Sequence, residues 1–427
     1  MSNKRPEELA GWLAYIEQQH PQTIALGLDR VGRVRDAMGL APAVPVITVA
    51  GTNGKGSTCA MLEAILTAAG YRVGLYTSPH LLRYNERVRI GGLEADAAAL
   101  VASFARVEAA RTESGDNTRL TYFEFGTLAA VDLFLRSAVD VLVLEVGMGG
   151  RLDAVNVFDA DCAIVTSVGL DHMDYLGNTR EAIGYEKAGI FRAGRPAVIA
   201  DPEPPASVLA HAQSTGAKLL CIGRDFGYAR ERGHWSFWGP AGRRSGLPEP
   251  ALQGAIQLQN ASAVLAALDT QNERLPVSAD ALRRGLTGVR LGGRFQLLPG
   301  RPTLVLDVGH NPQAAAVLAQ NLADLGPCSG TAAVFGMLRD KDIAGVVKLL
   351  VRHIDRWYAC TLPPPRGAQA SELAQALRQA GVDRVREFEN PARAYAAACS
   401  AAAENDRIIV FGSFHTVADV IAARENS

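Results

Sequence analysis

Neither sign of charge is in excess along these 427 residues: 43 Lys and Arg face 44 Asp and Glu, a formal charge of −1. A nucleic-acid or anionic-membrane surface needs a surplus of cations, and the total offers none. Paired cysteines are missing too. Cys59, Cys162, Cys221, Cys328, Cys360 and Cys399 stand far apart, with no CxxC pair and no Cys/His set at zinc spacing. That excludes a disulfide framework and fits a reducing, cytoplasmic compartment. No run approaches the roughly 18 apolar residues of a membrane span, and the opening MSNKRPEELAGW is too charged for a targeting leader. Repeats and low-complexity tracts are also lacking. The expectation is a soluble, untargeted protein of two or three domains, at about 100 to 200 residues each. Glycine alone is plentiful, at 42 residues of 427 against a usual value of about 7%.

Short apolar runs rich in β-branched residues alternate with helix-length segments, which is the α/β pattern. A first series comprises Val44 to Ala50, Tyr71 to Tyr76, Asp140 to Val146, Cys162 to Val168 and Ala197 to Ala200. Between the first two lies STCAMLEAILTAAG, a helix with Gly70 as its stop. Runs such as DVLVLEV suit strands covered on both faces. A second series comprises Thr303 to Val308, Thr331 to Gly336, Arg356 to Thr361, Val382 to Phe388 and Arg407 to Gly412. Helices are expected over Pro312 to Leu325, Asp342 to His353 and His415 to Arg424. LGGRFQLLPGRP reads as a linker near residue 297, dividing the chain into domains 1–296 and 297–427. Phe226 to Pro250 reads as irregular surface hairpins, and TLPPPRG as a stiff strand-to-helix loop.

The strongest chemical signal is AGTNGKGST at 50–58, between a buried strand and a helix. Inward-pointing amides, a helix N-terminus and Lys55 suit nucleotide β and γ phosphates. Two positions depart from the full P-loop pattern: Val49 replaces the first glycine, and Gly56 the Ser/Thr after the lysine. In VLVLEVGMGGRLDAVN, Glu145 ends a strand where such enzymes meet magnesium or its water shell, and Gly147, Gly149 and Gly150 permit close ligand approach. Asp171, His172 and Asp174 stand at a strand's carboxyl end, and both a metal-ligand and a structural reading of His172 stay open. Glu186 and Lys187 read as a helix-end ion pair. TYFE at 121–124 reads as a capping box, with Phe123 in the core. DVGHNP at 307–312 repeats strand, tight turn and helix, with Pro312 in the first turn.

Assembled, these blocks resemble the folylpolyglutamate synthase family of the Mur-ligase superfamily. The resemblance runs nearly end to end through HPQTIALGLDRV, TVAGTNGKGS, TSPHL, LTYFEFGTL, LEVGMGGRLDAVN, DHMDYLG, EKAGIF, GGRFQ, LDVGHNP, GMLRDKDIAG and GSFHTVA, in that order. GTNGKGS is that family's own variant of the loop. The resemblance implies an α/β fold: a P-loop ATPase-type N-terminal domain with a mostly parallel sheet, and a smaller Rossmann-like C-terminal domain. It implies an ATP-dependent ligase that adds L-glutamate to 7,8-dihydropteroate and to reduced folates through an acyl phosphate, with two magnesium ions. Thr52, Asn53, Gly54, Lys55, Gly56 and Ser57 would cradle ATP, joined by Asn260, Arg294 and Asp307. Lys55, Lys187 and His310 would be catalytic. Ser78, Glu145, His172 and a carbamylated Lys187 would hold metal. Thr23, Ile24, Ala25, Leu26, Thr121, Tyr122, Phe123, Glu124, Leu152, Asp153 and Ala154 match the pteroate positions. The family implies a monomer acting on small molecules, without nucleic acid or membrane. Gly309 and Val155 depart from the family's usual Ala and Thr, small changes expected to be tolerated.

Three alternatives are weaker. A peptidoglycan Mur ligase usually carries a nucleotide-sugar domain ahead of the loop, and only 50 residues precede Gly51. A GTPase switch needs an NKxD-type motif, which is missing. A folylpolyglutamate synthase without dihydropteroate activity is disfavoured by LTYFEFG and TIALGL.

Overall fold

The computed structural model describes residues 6–22, 24–113 and 118–425. The chain divides into two compact units, Met1–Pro250 with Leu258–Val289, and Ala251–Gln257 with Arg290–Ser427. The second unit takes up the chain at Arg290, a few residues before the expected 297. The stretch read as linker contains a strand, Gln296–Leu298, which pairs antiparallel with Thr303–Asp307.

The first unit is built on an eight-stranded sheet: β1 (Val46–Ala50), β2 (Val73–Tyr76), β3 (Val88–Ile90), β4 (Leu93–Glu94), β5 (Val141–Glu145), β6 (Cys162–Val165), β7 (Pro196–Ile199) and β8 (Lys218–Cys221). Their order is β4-β3-β2-β5-β1-β6-β7-β8, parallel except for the β3 and β4 edge. Every residue of β1 and β5 is buried, as strands of apolar and β-branched residues covered on both faces require. The chain leaves β1 for β2 on one side and later reaches β6 on the other. The carboxyl ends of β5, β1 and β6 therefore frame a switch point, where open α/β sheets leave room for a ligand.

Helix Lys55–Ala68 follows β1 directly, starting two residues before the expected Ser57. It ends where Gly70 turns left-handed (φ +95°) and the Tyr71 amide donates to the Leu66 carbonyl at 3.0 Å. Helix Ala279–Gly288 lies across it with Gly285 on Ile65, so closely that a Cβ there would stand 2.4 Å from the Ile65 Cα. Only glycine permits that approach, which braces the helix leading from the loop after β1.

The stretch from 226 to 250 is more regular than expected. It forms a three-stranded antiparallel sheet, β9 (Gly227–Glu231), β10 (His234–Gly239) and β11 (Gly242–Leu247). Gly233 and Gly242, both left-handed, make its tight turns, while Trp235 and Phe237 are buried beneath it.

The second unit carries a six-stranded sheet: β12 (Gln296–Leu298), β13 (Thr303–Asp307), β14 (Thr331–Phe335), β15 (Arg356–Cys360), β16 (Val385–Phe388) and β17 (Arg407–Phe411), ordered β12-β13-β17-β14-β15-β16. All but β12 run parallel. Helices Pro312–Asp324, Ile343–Leu350 and Phe414–Glu425 follow their strands as expected, and Phe335, Trp357 and Phe411 centre the core. Among the described residues no helix is long and apolar enough to cross a membrane.

Candidate active site

The loop after β1 is held from the end of β6. The Thr52 and Asn53 amides donate to the Ser167 carbonyl (2.8 Å) and hydroxyl (3.0 Å), and the Thr166 hydroxyl donates to the Asn53 carbonyl (2.6 Å). These two amides are thus turned to the neighbouring strand and not inward as the motif alone suggested. The helix N-terminus beyond them is capped by Gly54 (φ +89°), with no side-chain cap. A Cβ on Gly54 would come 2.7 Å from Asn260 Oδ1, which places Asn260, of helix Gln257–Thr270, at the loop. Lys55 folds back so that Nζ donates to the Gly51 (3.0 Å) and Thr52 (3.2 Å) carbonyls. A helix N-terminus with partial positive charge and a lysine beside it suit an anion.

Glu145 ends β5 in register with Val49. It is buried, and its Oε2 accepts the Ser78 amide at 3.0 Å, which brings the ends of β5 and β2 together beside the loop. His172 adopts a left-handed conformation (φ +51°), uncommon for a residue with a side chain, and its amide donates to Asp171 Oδ1 at 2.8 Å. Lys187 is buried in the last turn of helix Arg180–Ala188. Burial, then the Lys55 cation, push its ammonium down to about 7, against the pull of Asp171 and Asp153. The expected Glu186–Lys187 ion pair does not form. Neighbours in a helix point to different faces, and Glu186 instead receives Arg151 at 2.8 Å. Among the described residues no three His, Cys, Asp or Glu side chains form a metal cage by themselves.

The pteroate-matched segments come together on the first unit. Thr121 caps helix Tyr122–Arg136 with the expected capping box: Glu124 N donates to Thr121 Oγ1 (3.2 Å) and Thr121 N to Glu124 Oε2 (2.8 Å). Phe123 is half-buried, not core. Its ring lies on Gly147, where a Cβ would stand 2.7 Å from Cζ, and 5.7 Å from the Tyr76 ring. Asp153 is buried, and burial pushes its carboxyl up to about 7, although the Met148 (2.8 Å) and Val155 (3.1 Å) amides donate to it. Leu152 accepts the Gly27 amide at 3.2 Å, which ties Ile24, Ala25 and Leu26 to this loop. Ala154 begins the short turn Ala154–Val157. Thr23 lies outside the described residues.

In the second unit, Asp307 fastens backbone: Oδ2 accepts the Phe295 amide (2.9 Å) and Oδ1 the Gly309 amide (2.7 Å). Burial raises its pKa and these amides oppose the rise. A Cβ at Gly309 would sit 2.7 Å from Asp307 Oδ1, so the usual alanine would displace that oxygen here. Arg294 stacks over the Phe414 ring at 4.8 Å. His310 Nδ1 lies 2.9 Å from the Val308 carbonyl.

Two groups escaped motif reading. Arg87 sits over the Tyr84 and Tyr122 rings (5.5 and 5.4 Å) and donates to His80 Nδ1 at 2.8 Å. Arg30 binds Ala25 and Glu124. Each has one partner far along the chain, Tyr122 for Arg87 and Glu124 for Arg30, that no local spacing announces.

Comparison with known proteins accounts for both units. The Mur ligase middle domain matches residues 49–268, and the Mur ligase glutamate ligase domain matches residues 293–414. The Escherichia coli dihydrofolate synthase/folylpolyglutamate synthase is 47% identical, over 97% of this chain and 94% of its own. Escherichia coli FolC in complex with DHPP and ADP superposes with a TM-score of 0.94 at 45% identity, covering 100% of this chain and 99% of the other. A bifunctional folylpolyglutamate synthase/dihydrofolate synthase with Mn, AMPPNP and L-glutamate bound gives 0.91 at 45% identity, covering 100% of both. With both modules matched and likeness sustained over the whole length, the chain belongs to the dihydrofolate synthase/folylpolyglutamate synthase family of Mur-type ligases.

Proposed function

We propose that this chain uses ATP to join L-glutamate to 7,8-dihydropteroate, giving dihydrofolate, and to reduced folates, giving folylpolyglutamates. One observation carries the reading: a glycine-capped helix N-terminus with Lys55 at the sheet's switch point, beside buried Glu145, Asp153 and Lys187. Bound ADP and DHPP in one relative, and AMPPNP, Mn and L-glutamate in another, support it.

The chemistry explains why those groups are needed. An ionised carboxylate repels nucleophiles, so its oxygen first attacks the γ-phosphorus of ATP and ADP departs. The glutamate nitrogen then attacks the acyl carbon. The tetrahedral intermediate loses phosphate as the carbon–oxygen bond breaks, and the nitrogen gives up a proton. Thr52 to Ser57 position the phosphates, and Lys55 leaves its carbonyl partners to neutralise the transferring group. By the family's pattern Asn260, Arg294, Asp307 and His310 would contact the nucleotide, with Asp307 acting by holding the backbone at 295 and 309. Ile24 to Leu26, Thr121 to Glu124 and Leu152 to Ala154, together with Thr23, hold the pteroate.

The donors present fit magnesium. This ion asks for one or two carboxylates and takes phosphate oxygens and water for the rest. Buried Glu145, with Ser78 beside it, meets that need without a three-carboxylate cage. Ser78, Glu145 and His172 would hold one ion, and Lys187, as a carbamate, a second. Bound magnesium supplies neutralisation of phosphate charge. Six free thiols, four of them buried, support a reducing cytoplasmic setting, and the family implies a monomer.

The test is ADP release by purified protein with ATP, magnesium and glutamate. Release is expected only when dihydropteroate or a reduced folate is added; release that depends on a muramyl peptide overturns the assignment.

A further inference from the structure

Two of the pteroate-matched segments are joined by one side chain, Arg30, that lies in the HPQTIALGLDRV block but is not among the positions matched to pteroate. Arg30 stands in the first turn of helix Asp29–Ala37. Its Nη2 donates to the Ala25 carbonyl at 2.7 Å and to Glu124 Oε1 at 2.9 Å, and its Nε approaches Glu124 Oε2 at 3.5 Å. Glu124 is almost fully buried, with 4% of its side chain exposed, and the same Oε2 accepts the Thr121 amide. Residues 24–27 belong to no helix or strand, so regular hydrogen bonding does not fix their path. The third segment joins through Gly27 and Leu152.

We propose that Arg30 is a positioning residue for the pteroate substrate. It draws the Ile24–Leu26 stretch onto the N-terminus of helix Tyr122–Arg136 and neutralises the carboxylate that completes that helix's capping box. The substrate then meets a preformed wall and need not order a loose one, which lowers the cost of binding. A guanidinium suits the task because its planar fork reaches two acceptors on different elements. A lysine, as a single point charge, serves one of them poorly. This proposal rests on the reading of these segments as the pteroate site.

Steady-state ADP release separates the two. Wild type, Arg30→Met and Arg30→Lys are assayed against varied dihydropteroate at saturating ATP, and against varied ATP at saturating dihydropteroate. The KM for dihydropteroate is expected to rise roughly tenfold or more in Arg30→Met and by a smaller factor in Arg30→Lys. The KM for ATP should stay within about twofold and kcat within about threefold. An unchanged KM for dihydropteroate, or both KM values and kcat worsening together as general loosening would give, overturns the proposal. Should Arg30→Met fail to fold, the same criteria applied to Arg30→Lys decide. Wild type without dihydropteroate-dependent release would sink the functional reading itself, a distinct outcome.

Discussion

Two strand–turn–helix corners, at residues 50–58 and 307–314, share a backbone plan and finish their helices in opposite ways. In the first, Gly54 caps helix Lys55–Ala68 without a side chain. In the second, Asn311 Oδ1 accepts the Ala314 amide at 2.9 Å, and Pro312 at the first helical position has no amide to satisfy. Asp307 completes that corner by binding the amides of 295 and 309. The first helix start is left open, without a side-chain cap, whereas the second is closed by its own chain. On the proposed function the open start takes the phosphates while the closed one serves only to hold its neighbours in place for the nucleotide; strand, turn and helix are common to both, and the capping residue is what differs.

Breaking the first corner should have the largest effect. Lys55→Met is expected to lower kcat/KM by about 10³, the loss typical of removing a main electrostatic stabiliser, while Tm stays within about 2 °C. A fall under about tenfold would mean that the open corner is not the phosphate site. Lys187→Met should follow, at about a hundredfold, if its carbamate holds metal. Carbon dioxide adds to the neutral amine, and with the ammonium pushed down to about 7 that form prevails above neutrality. Enzyme stripped of carbon dioxide at pH 6 should regain activity with bicarbonate at pH 8, with the modification visible by intact mass. Full activity with an unmodified lysine refutes the carbamate. The unmodified amine also has a definite linkage sign. The unfolded lysine keeps its proton up to 10.5, so the unfolded chain binds more protons between about 7 and 10.5. This group's contribution to stability rises with pH across that window. The smallest effect belongs to the closed corner. Asn311→Ala should cost about 1 kcal/mol in denaturant melts and leave kcat/KM within about threefold. A tenfold rise in the KM for ATP would erase the distinction between the corners.

Much of this was legible in the sequence, and what was not shares one cause. The core strands announce themselves through continuous apolar runs, the loop at 51–54 through glycines between strand and helix, and the Thr121 capping box through its three-residue spacing. Each is a local signal. The partner of Glu186 could not be read, because Arg151 lies 35 positions earlier. Nor could Arg30, whose carboxylate partner is 94 positions away. β9 to β11 hid behind a scatter of glycine and proline that, in fact, makes the tight turns of an ordered sheet. The strand within the expected linker could not be read either, because Gly292, Gly293 and Pro299 to Pro302 suggest linker, while the strand between them gains its definition only by pairing with β13.

The seven residues Ala251–Gln257 belong to the second unit although first-unit chain flanks them on both sides. Within that unit the Ala255 amide donates to Asn321 Oδ1 at 2.9 Å, and Gly254 packs so tightly on the Asn321 side chain that a Cβ would stand 2.8 Å from it. No single cut therefore separates the units: a fragment beginning at Arg290 lacks a piece of its own body, and one ending at Val289 carries an orphan. During synthesis this segment emerges 64 residues or more ahead of Asn321, its partner within the second unit, and is tethered at both ends to first-unit chain until then. The chain is two bodies in space but one indivisible reading frame.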